Sequence, residues 1–201
     1  MTVDLTMASK AASISAPDLK TLEELYVGFF NRIPEAAGLS GWIDQIKNGV
    51  SLKSVADQFY EFGVLFGVYD KNMSDSEFIA EVYANVLGRE GANAPTKEEI
   101  AGWESWLHTG ANTKGAMVLE MLEVSHGLFT GHPEVGWVID LLDNKAEVAN
   151  YFAVQQGLSY NTPQENIDHG TAIAAAITPN STAAAIALIG VNEFNLIDTV
   201  L

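Results

Sequence analysis

The stretch from Leu25 to Trp42 returns later in the chain in altered form, and that repetition limits the fold more than any other feature. Tyr26 and Arg32 stand six residues apart, as do Tyr83 and Arg89, at an offset of 57. Gly41 and Trp42 answer Gly102 and Trp103, and Ile46 with Gly49 answers Leu107 with Gly110, at an offset of 61. The four-residue difference falls in an enlarged corner over residues 91–99. A chain that repeats in this way builds one supersecondary unit twice and buries the apolar faces of the copies against each other.

The unit reads as a helical hairpin. Leu22, Leu25, Tyr26, Phe29 and Phe30 follow the i, i+3, i+4, i+7, i+8 pattern of a helix with one apolar face. Pro34 cannot continue that helix, and Gly38 is expected to permit the chain reversal. A second helix then carries Trp42, Ile43 and Ile46 to a cap at Gly49. Ser51 is suited to cap a third, which is expected to turn Val55, Phe59, Phe62 and Phe66 inward. In the second unit Ser74 and Glu77 have capping-box spacing, and Phe78, Ile79, Val82, Tyr83, Val86 and Leu87 form the stripe. Ile100, Trp103, Trp106 and Leu107 make the short second helix, and Met117, Val118, Met121, Leu122 and Val124 belong to the third.

Beyond the boundary at Gly131 and Pro133, residues 135–156 form one helix or two. Thr162, Pro163 and Glu165 signal another helix, to Ile177, and an alanine-rich helix runs from Thr182 to Leu188. The expected class is all-α: two repeated helical-hairpin units, further helices, and a short β-like tail. The expected division is an N-terminal arm over 1–18, the duplicated repeat over 19–130, a C-terminal helical region over 131–190, and a tail over 191–201 rich in apolar residues such as Phe194 and Ile197.

Composition excludes several functions. Ten basic against 26 acidic residues leave a net charge of −16, a surface that repels nucleic-acid phosphates. The chain has no cysteine, which removes disulfides, thiolate metal sites and cysteine nucleophiles together. No apolar run is long enough to span a membrane, and residues 1–17 do not resemble a cleaved signal peptide. Neither a nucleophile elbow, a phosphate loop nor a dinucleotide fingerprint occurs, so a non-enzymatic role is expected.

The sequence of a Leu25-Tyr26 pair, Arg32, a small-residue corner, Gly41-Trp42 and a helix ending in glycine resembles a bacterial helical repeat domain of unknown function. That domain occurs in type-I-secreted calcium-binding-repeat proteins and near the N-terminus of proteobacterial S-layer proteins. The pattern is also distantly similar to phycobilisome linker domains. The first unit matches well, and the second departs by its longer corner. The resemblance implies a cell-surface module, exported by type I secretion without an N-terminal signal peptide. Such a module would anchor an S-layer to lipopolysaccharide O-polysaccharide and contact its own copies, with calcium as the associated ion. It also implies alternatives: a pure self-assembly module without sugar binding, or the N-terminal domain of a secreted adhesin. The chain carries no calcium-binding glycine-rich repeat, so either that part is absent or the chain is the N-terminal piece of a longer protein. The β-like stretch from Phe194 to Leu201 fits the second, which is preferred over reading Ile197 to Leu201 as a secretion signal.

Candidate ligand contacts are Arg32, Arg89, Trp106, Tyr60 and Tyr69, for anion pairing or sugar stacking. The competing reading makes the two arginines corner residues that bond helix carbonyls and a local carboxylate such as Glu35 or Glu90. Trp42 and Trp103 read as core. Candidate calcium ligands are the loop carboxylates Asp70, Asp75 and Glu77. Asp140, Asp143 and Glu147 share one helical face, which reads as solvated, and His126 with His132 is a weak zinc pairing.

Overall fold

The computed structural model describes residues 1–190. Helix α1 covers Met7–Ala11, and the first unit follows as α2 (Ala16–Phe30), α3 (Ala36–Lys47) and α4 (Leu52–Leu65). The second unit is α5 (Asp75–Asn85), α6 (Lys97–Leu107) and α7 (Lys114–Phe129), with a 3₁₀ turn at Gly91–Asn93 inside its longer corner. Then come α8 (Trp137–Ala149), a π-helical segment Asn150–Gln155, α9 (Pro163–Ala175) and α10 (Ala183–Ile189). The class is all-α, with a single small sheet among the described residues: β1 (Thr2–Val3) pairs antiparallel with β2 (Leu158–Ser159). The β-like tail expected over 191–201 lies outside the described residues.

Local sequence explains most helix starts. Ser74, Thr96 and Thr162 each accept a bond from the backbone N–H three residues on, and the glutamate at that position reaches back to the cap. These capping boxes satisfy donors that a helix cannot satisfy internally. Ser15, Ser51 and Thr113 cap α2, α4 and α7 without the reciprocal acid.

The duplication is visible in the backbone. Asn31 ends the first helix of unit one in the left-handed region at φ 47°, and Gly88, 57 residues on, takes the same conformation in unit two at φ 64°, just past the α5 cap at Val86. The reversal therefore sits at Asn31. Gly38, expected to make it, lies inside α3, which begins at Ala36. The last helices of the two units, α4 and α7, pack directly on each other. A Cβ on Gly115 would lie 2.5 Å from Ala56 O and 2.5 Å from Asp57 N, so glycine sets how closely they approach. Thr113, the cap of α7, donates its hydroxyl to Asp57 at the same place.

The C-terminal region covers both corners. A Cβ on Gly88 would lie 2.5 Å from Leu141 of α8, and a Cβ on Gly170 of α9 would lie 2.9 Å from the Ile33 carbonyl oxygen. The Ile33 N–H donates to the Gly170 carbonyl (3.0 Å). Lys145 of α8 is buried and donates to the Asn85 and Val86 carbonyls (2.7 and 3.1 Å), closing the end of α5. Burial pushes its ammonium down to about 8. One continuous core unites all of these parts, with Phe29, Phe59, Tyr69, Phe78 and Phe152 among its largest side chains.

The N-terminal segment carries the short helix α1 and packs on the rest of the chain. Met7 is fully buried, the Asp4 N–H donates to Gly157 O (2.7 Å), and Lys10 pairs with Asp44 of α3 (2.6 Å). The helical stretch expected over 135–156, as one helix or two, is α8 running into the π-helical segment. No helix among the described residues is long and apolar enough to cross a membrane.

Candidate functional site

Each corner repeats one chemical arrangement: a tyrosine, an arginine six residues later lying over its ring, and a carboxylate that fixes the arginine. In unit one the Arg32 guanidinium sits 5.2 Å from the Tyr26 ring centroid, donates to the Tyr26 hydroxyl (2.7 Å) and donates to Glu35 Oε2 (2.7 Å). In unit two Arg89 lies 4.9 Å from the Tyr83 ring and grips both oxygens of Glu99 (2.5 and 3.0 Å). The acid has moved by one turn between copies. Glu35 is the residue before α3, whereas Glu99 is the third residue of α6. Gly38 makes room for the first arrangement, since a Cβ there would lie 2.9 Å from Glu35 Oε1.

The two corners differ in access. Arg89 is buried and also donates to the Asn93 carbonyl (3.1 Å) of the enlarged corner, which closes over it. Arg89 is therefore held inside the corner, as the competing reading expected, and its carboxylate is Glu99 rather than Glu90. That guanidinium holds the Glu99 carboxyl below the usual carboxylate range. The first corner is shorter and has no loop to close over its arginine in this way. Beside Arg32 and Glu35 a groove of about 480 Å³ opens, walled by Tyr26, Phe30, Trp42, Phe62, Phe66 and Val68 and closed at one end by Pro163 and Ile167 of α9.

The groove wall is apolar and exposed. Phe62 and Phe66 stack with centroids 5.8 Å apart and planes within 9°, and Trp42 meets Phe62 edge-on at 5.8 Å. Phe66 and Leu65 are each 71% exposed, so the inward placement expected of Phe62 and Phe66 is overturned. The buried face of α4 holds Val55, Ala56, Phe59 and Gly63; Phe62 stands at the edge of that face, and Leu65 and Phe66 are the last residue and the C-cap of the helix, beyond its packed part. Trp42 packs on Phe59 and remains half-buried, with part of its surface in the groove. Burial raises the Tyr26 phenol above its ordinary range, so its hydroxyl stays protonated and donates to Glu35 (3.3 Å) while accepting from Arg32.

Of the five ligand contacts expected from sequence, Arg32 alone lines this groove. Tyr69 is 1% exposed and donates to the Phe29 carbonyl (3.1 Å), satisfying a carbonyl in the last turn of α2. It is a core residue. Tyr60 packs against Phe78 at 5.2 Å with the Lys114 ammonium over its ring, and Trp106 meets Trp103 edge-on at 5.9 Å on α6. Both are half-buried and lie outside the groove.

The expected calcium ligands do not converge. Glu77 is engaged by the Ser74 hydroxyl and N–H, Asp75 pairs with Lys114 (3.1 Å) and meets His108 (3.1 Å), and Asp70 accepts from the Asn72 N–H. Local capping and ion pairing use carboxylates that a calcium ion would need on one side of a loop. His126 and His132 do not pair either: His126 meets Glu24, and His132 accepts from the Glu134 N–H.

Sequence reading did not single out Phe62, Phe66, Val68 and Ile167, which line the groove. A signal was present. Phe62, Val64, Leu65, Phe66 and Val68 crowd the end of α4 all round, more apolar surface than a one-sided helix can bury. No curated protein and no solved structure matches the chain. Residues 66–126, running from the end of the first unit through α5 and α6 into α7, match the family model described as Domain of unknown function (DUF4214), which places the recognised similarity in the second helical unit.

Proposed function

We propose that this chain is a non-enzymatic cell-surface module: the N-terminal anchoring and assembly domain of a bacterial S-layer protein, exported by type I secretion, that holds lipopolysaccharide O-polysaccharide in the aromatic groove of its first unit. The observation that carries the reading is the open groove where Phe62, Phe66 and Trp42 stand beside the Tyr26–Arg32–Glu35 arrangement. Aromatic rings offer apolar faces to the C–H faces of a sugar, and a prepositioned arginine and carboxylate offer donors and acceptors to its hydroxyls. Such contacts do not depend on attraction between net charges. That matters for a chain of net charge −16 meeting an anionic polysaccharide, where divalent cations would bridge what remains.

A second reading is favoured by a specific feature. Ile167 in the groove and Leu65 near the end of α4 are both exposed aliphatic residues, surface of the kind a contact between copies of the chain would cover. The alanine-rich α10 is a weaker contact surface, because Ala185 and Ile189 already face the core.

Sedimentation with smooth lipopolysaccharide, and with a rough form lacking O-polysaccharide, separates the readings when run in millimolar calcium and in chelator. Co-sedimentation with the smooth form only, lost in Phe66→Ala, is the expected result. Calcium-dependent growth into large assemblies without lipopolysaccharide, also lost in Phe66→Ala, supports the assembly reading and removes the anchor. Equal behaviour of Phe66→Ala and the parent chain in both assays removes the groove from either role.

A further inference from the structure

On another face of the molecule three helices bring metal-ligating side chains to one point. Glu24 of α2, His126 of α7 and Asp143 of α8 present ligand atoms that all lie within 4.8 Å of one another. The Glu24 side chain is 2% exposed, and both its oxygens face His126 Nε2, at 3.0 and 3.1 Å. Lys20, one turn before Glu24 on α2, places its ammonium 2.6 Å from Asp143 Oδ1 and 3.7 Å from Glu24 Oε1.

We propose that Glu24, His126 and Asp143 form a binding site for a first-row divalent metal ion of the zinc type, in which the Lys20 ammonium is the resident substitute cation. The donor set selects the ion. One imidazole with two carboxylates suits zinc and its neighbours, whereas calcium takes six to eight oxygens and does not favour nitrogen. Oxygen and nitrogen ligands of tetrahedral zinc lie about 2.0–2.2 Å from the ion, hence roughly 3.4 Å from one another. The present separation closes by rotation of Asp143, whose side chain is half exposed. The Glu24–His126 pair is already at hydrogen-bond distance.

Lys20 holds the place of a cation without blocking it. Its side chain is 44% exposed and can swing into solvent. Beside it a notch of about 330 Å³, lined by Lys20, Glu23, Asp143, Glu147 and Asn150 among others, gives an approach from solvent on the Asp143 side. Convergence from three helices separates this cluster from a run of surface acids. Glu24, His126 and Asp143 come together only when both repeat units and α8 are assembled. The inference is independent of the groove, which shares none of these residues.

The test uses the full 201-residue chain freed of metal and titrated with cobalt(II), read by its visible absorption, then with zinc and with calcium as competitors. One saturable site with a low-coordinate cobalt band is expected, displaced by zinc and not by calcium. His126→Gln and Asp143→Asn should each weaken binding by at least about tenfold, and Lys20→Met should tighten it by removing the competing cation. Asp143 and Lys20 are surface positions, so their variants fold even where a change at Glu24 does not. Absence of a saturable band overturns the proposal. So does an affinity indifferent to His126→Gln and Asp143→Asn, which would put the ion elsewhere on the acidic surface, or an unchanged or weakened affinity in Lys20→Met.

Discussion

Gly115→Ala tests the packing of the two units on each other, and Gly102→Ala is its internal control. At Gly115 an added Cβ meets Ala56 O, Asp57 Cα and Asp57 N, each at 2.5 Å. All three are backbone atoms and cannot turn away, so α4 and α7 must separate by about 1 Å to reach ordinary contact. A gap of that size forfeits about a quarter to a half of each nearby dispersion contact, and overpacked cores lose about 1–3 kcal/mol. The Thr113 cap and its bond to Asp57 sit at the same contact, which adds up to about 1 kcal/mol. The expected loss is therefore about 3 kcal/mol, or roughly 6–12 °C in Tm for a chain of this length. Gly102 lies within α6 with nothing within 4 Å of its Cβ, so alanine there should gain about 0.5–1 kcal/mol from helix propensity. Urea unfolding followed by circular dichroism gives both values, with the slope compared to detect any loss of cooperation between units. The reasoning fails if Gly115→Ala lies within about 0.5 kcal/mol of the parent chain, or changes stability in the same direction as Gly102→Ala.

Two further expectations follow from the duplication. Asn31 and Gly88 hold the same left-handed position, yet Asn31 is exposed while the space beside Gly88 is filled by Leu141. Asn31→Gly should change stability by less than about 0.5 kcal/mol, and Gly88→Asn should cost about 2–3 kcal/mol; thermal unfolding of both variants checks this, and equal tolerance would contradict it. Glu99 is held below the usual carboxylate range by Arg89, so its bond adds stability above the unfolded carboxyl pKa and loses it as pH falls through the lowered folded value. The stability gap between the parent chain and Glu99→Gln should accordingly be full at neutral pH and close on the acid side; a gap constant from pH 7 to pH 3 would show that the pair does not act through charge.

The two corners also show how duplication divides labour. The longer corner of unit two folds over Arg89 and turns its arrangement into structure, whereas the shorter corner of unit one leaves Arg32 beside an open groove. The same tyrosine and arginine thus serve closure in one copy and line a cavity in the other. The difference lies in the loop length and in which C-terminal helix lands on each corner.

What the sequence determined was local and periodic. The apolar stripe from Leu22 to Phe30, the capping residues Ser51, Ser74 and Thr162, and the matched Tyr–Arg pairs fix a duplicated all-helical chain, because propensity, capping and a 3.6-residue period act within a few neighbours. The tertiary structure decided everything that depends on which face meets which. Phe62, Phe66 and Tyr69 are all aromatic residues near the end of α4, and no local rule sorts the first two into a groove wall and the third into the core. That sorting follows from where α2, α5 and α9 pack. Glu24, His126 and Asp143 are separated by 102 and 17 residues, each unremarkable on its own helix, and only the assembly of α2, α7 and α8 gives them one location. Charged and aromatic side chains take their chemistry from distant neighbours, which a local pattern does not contain.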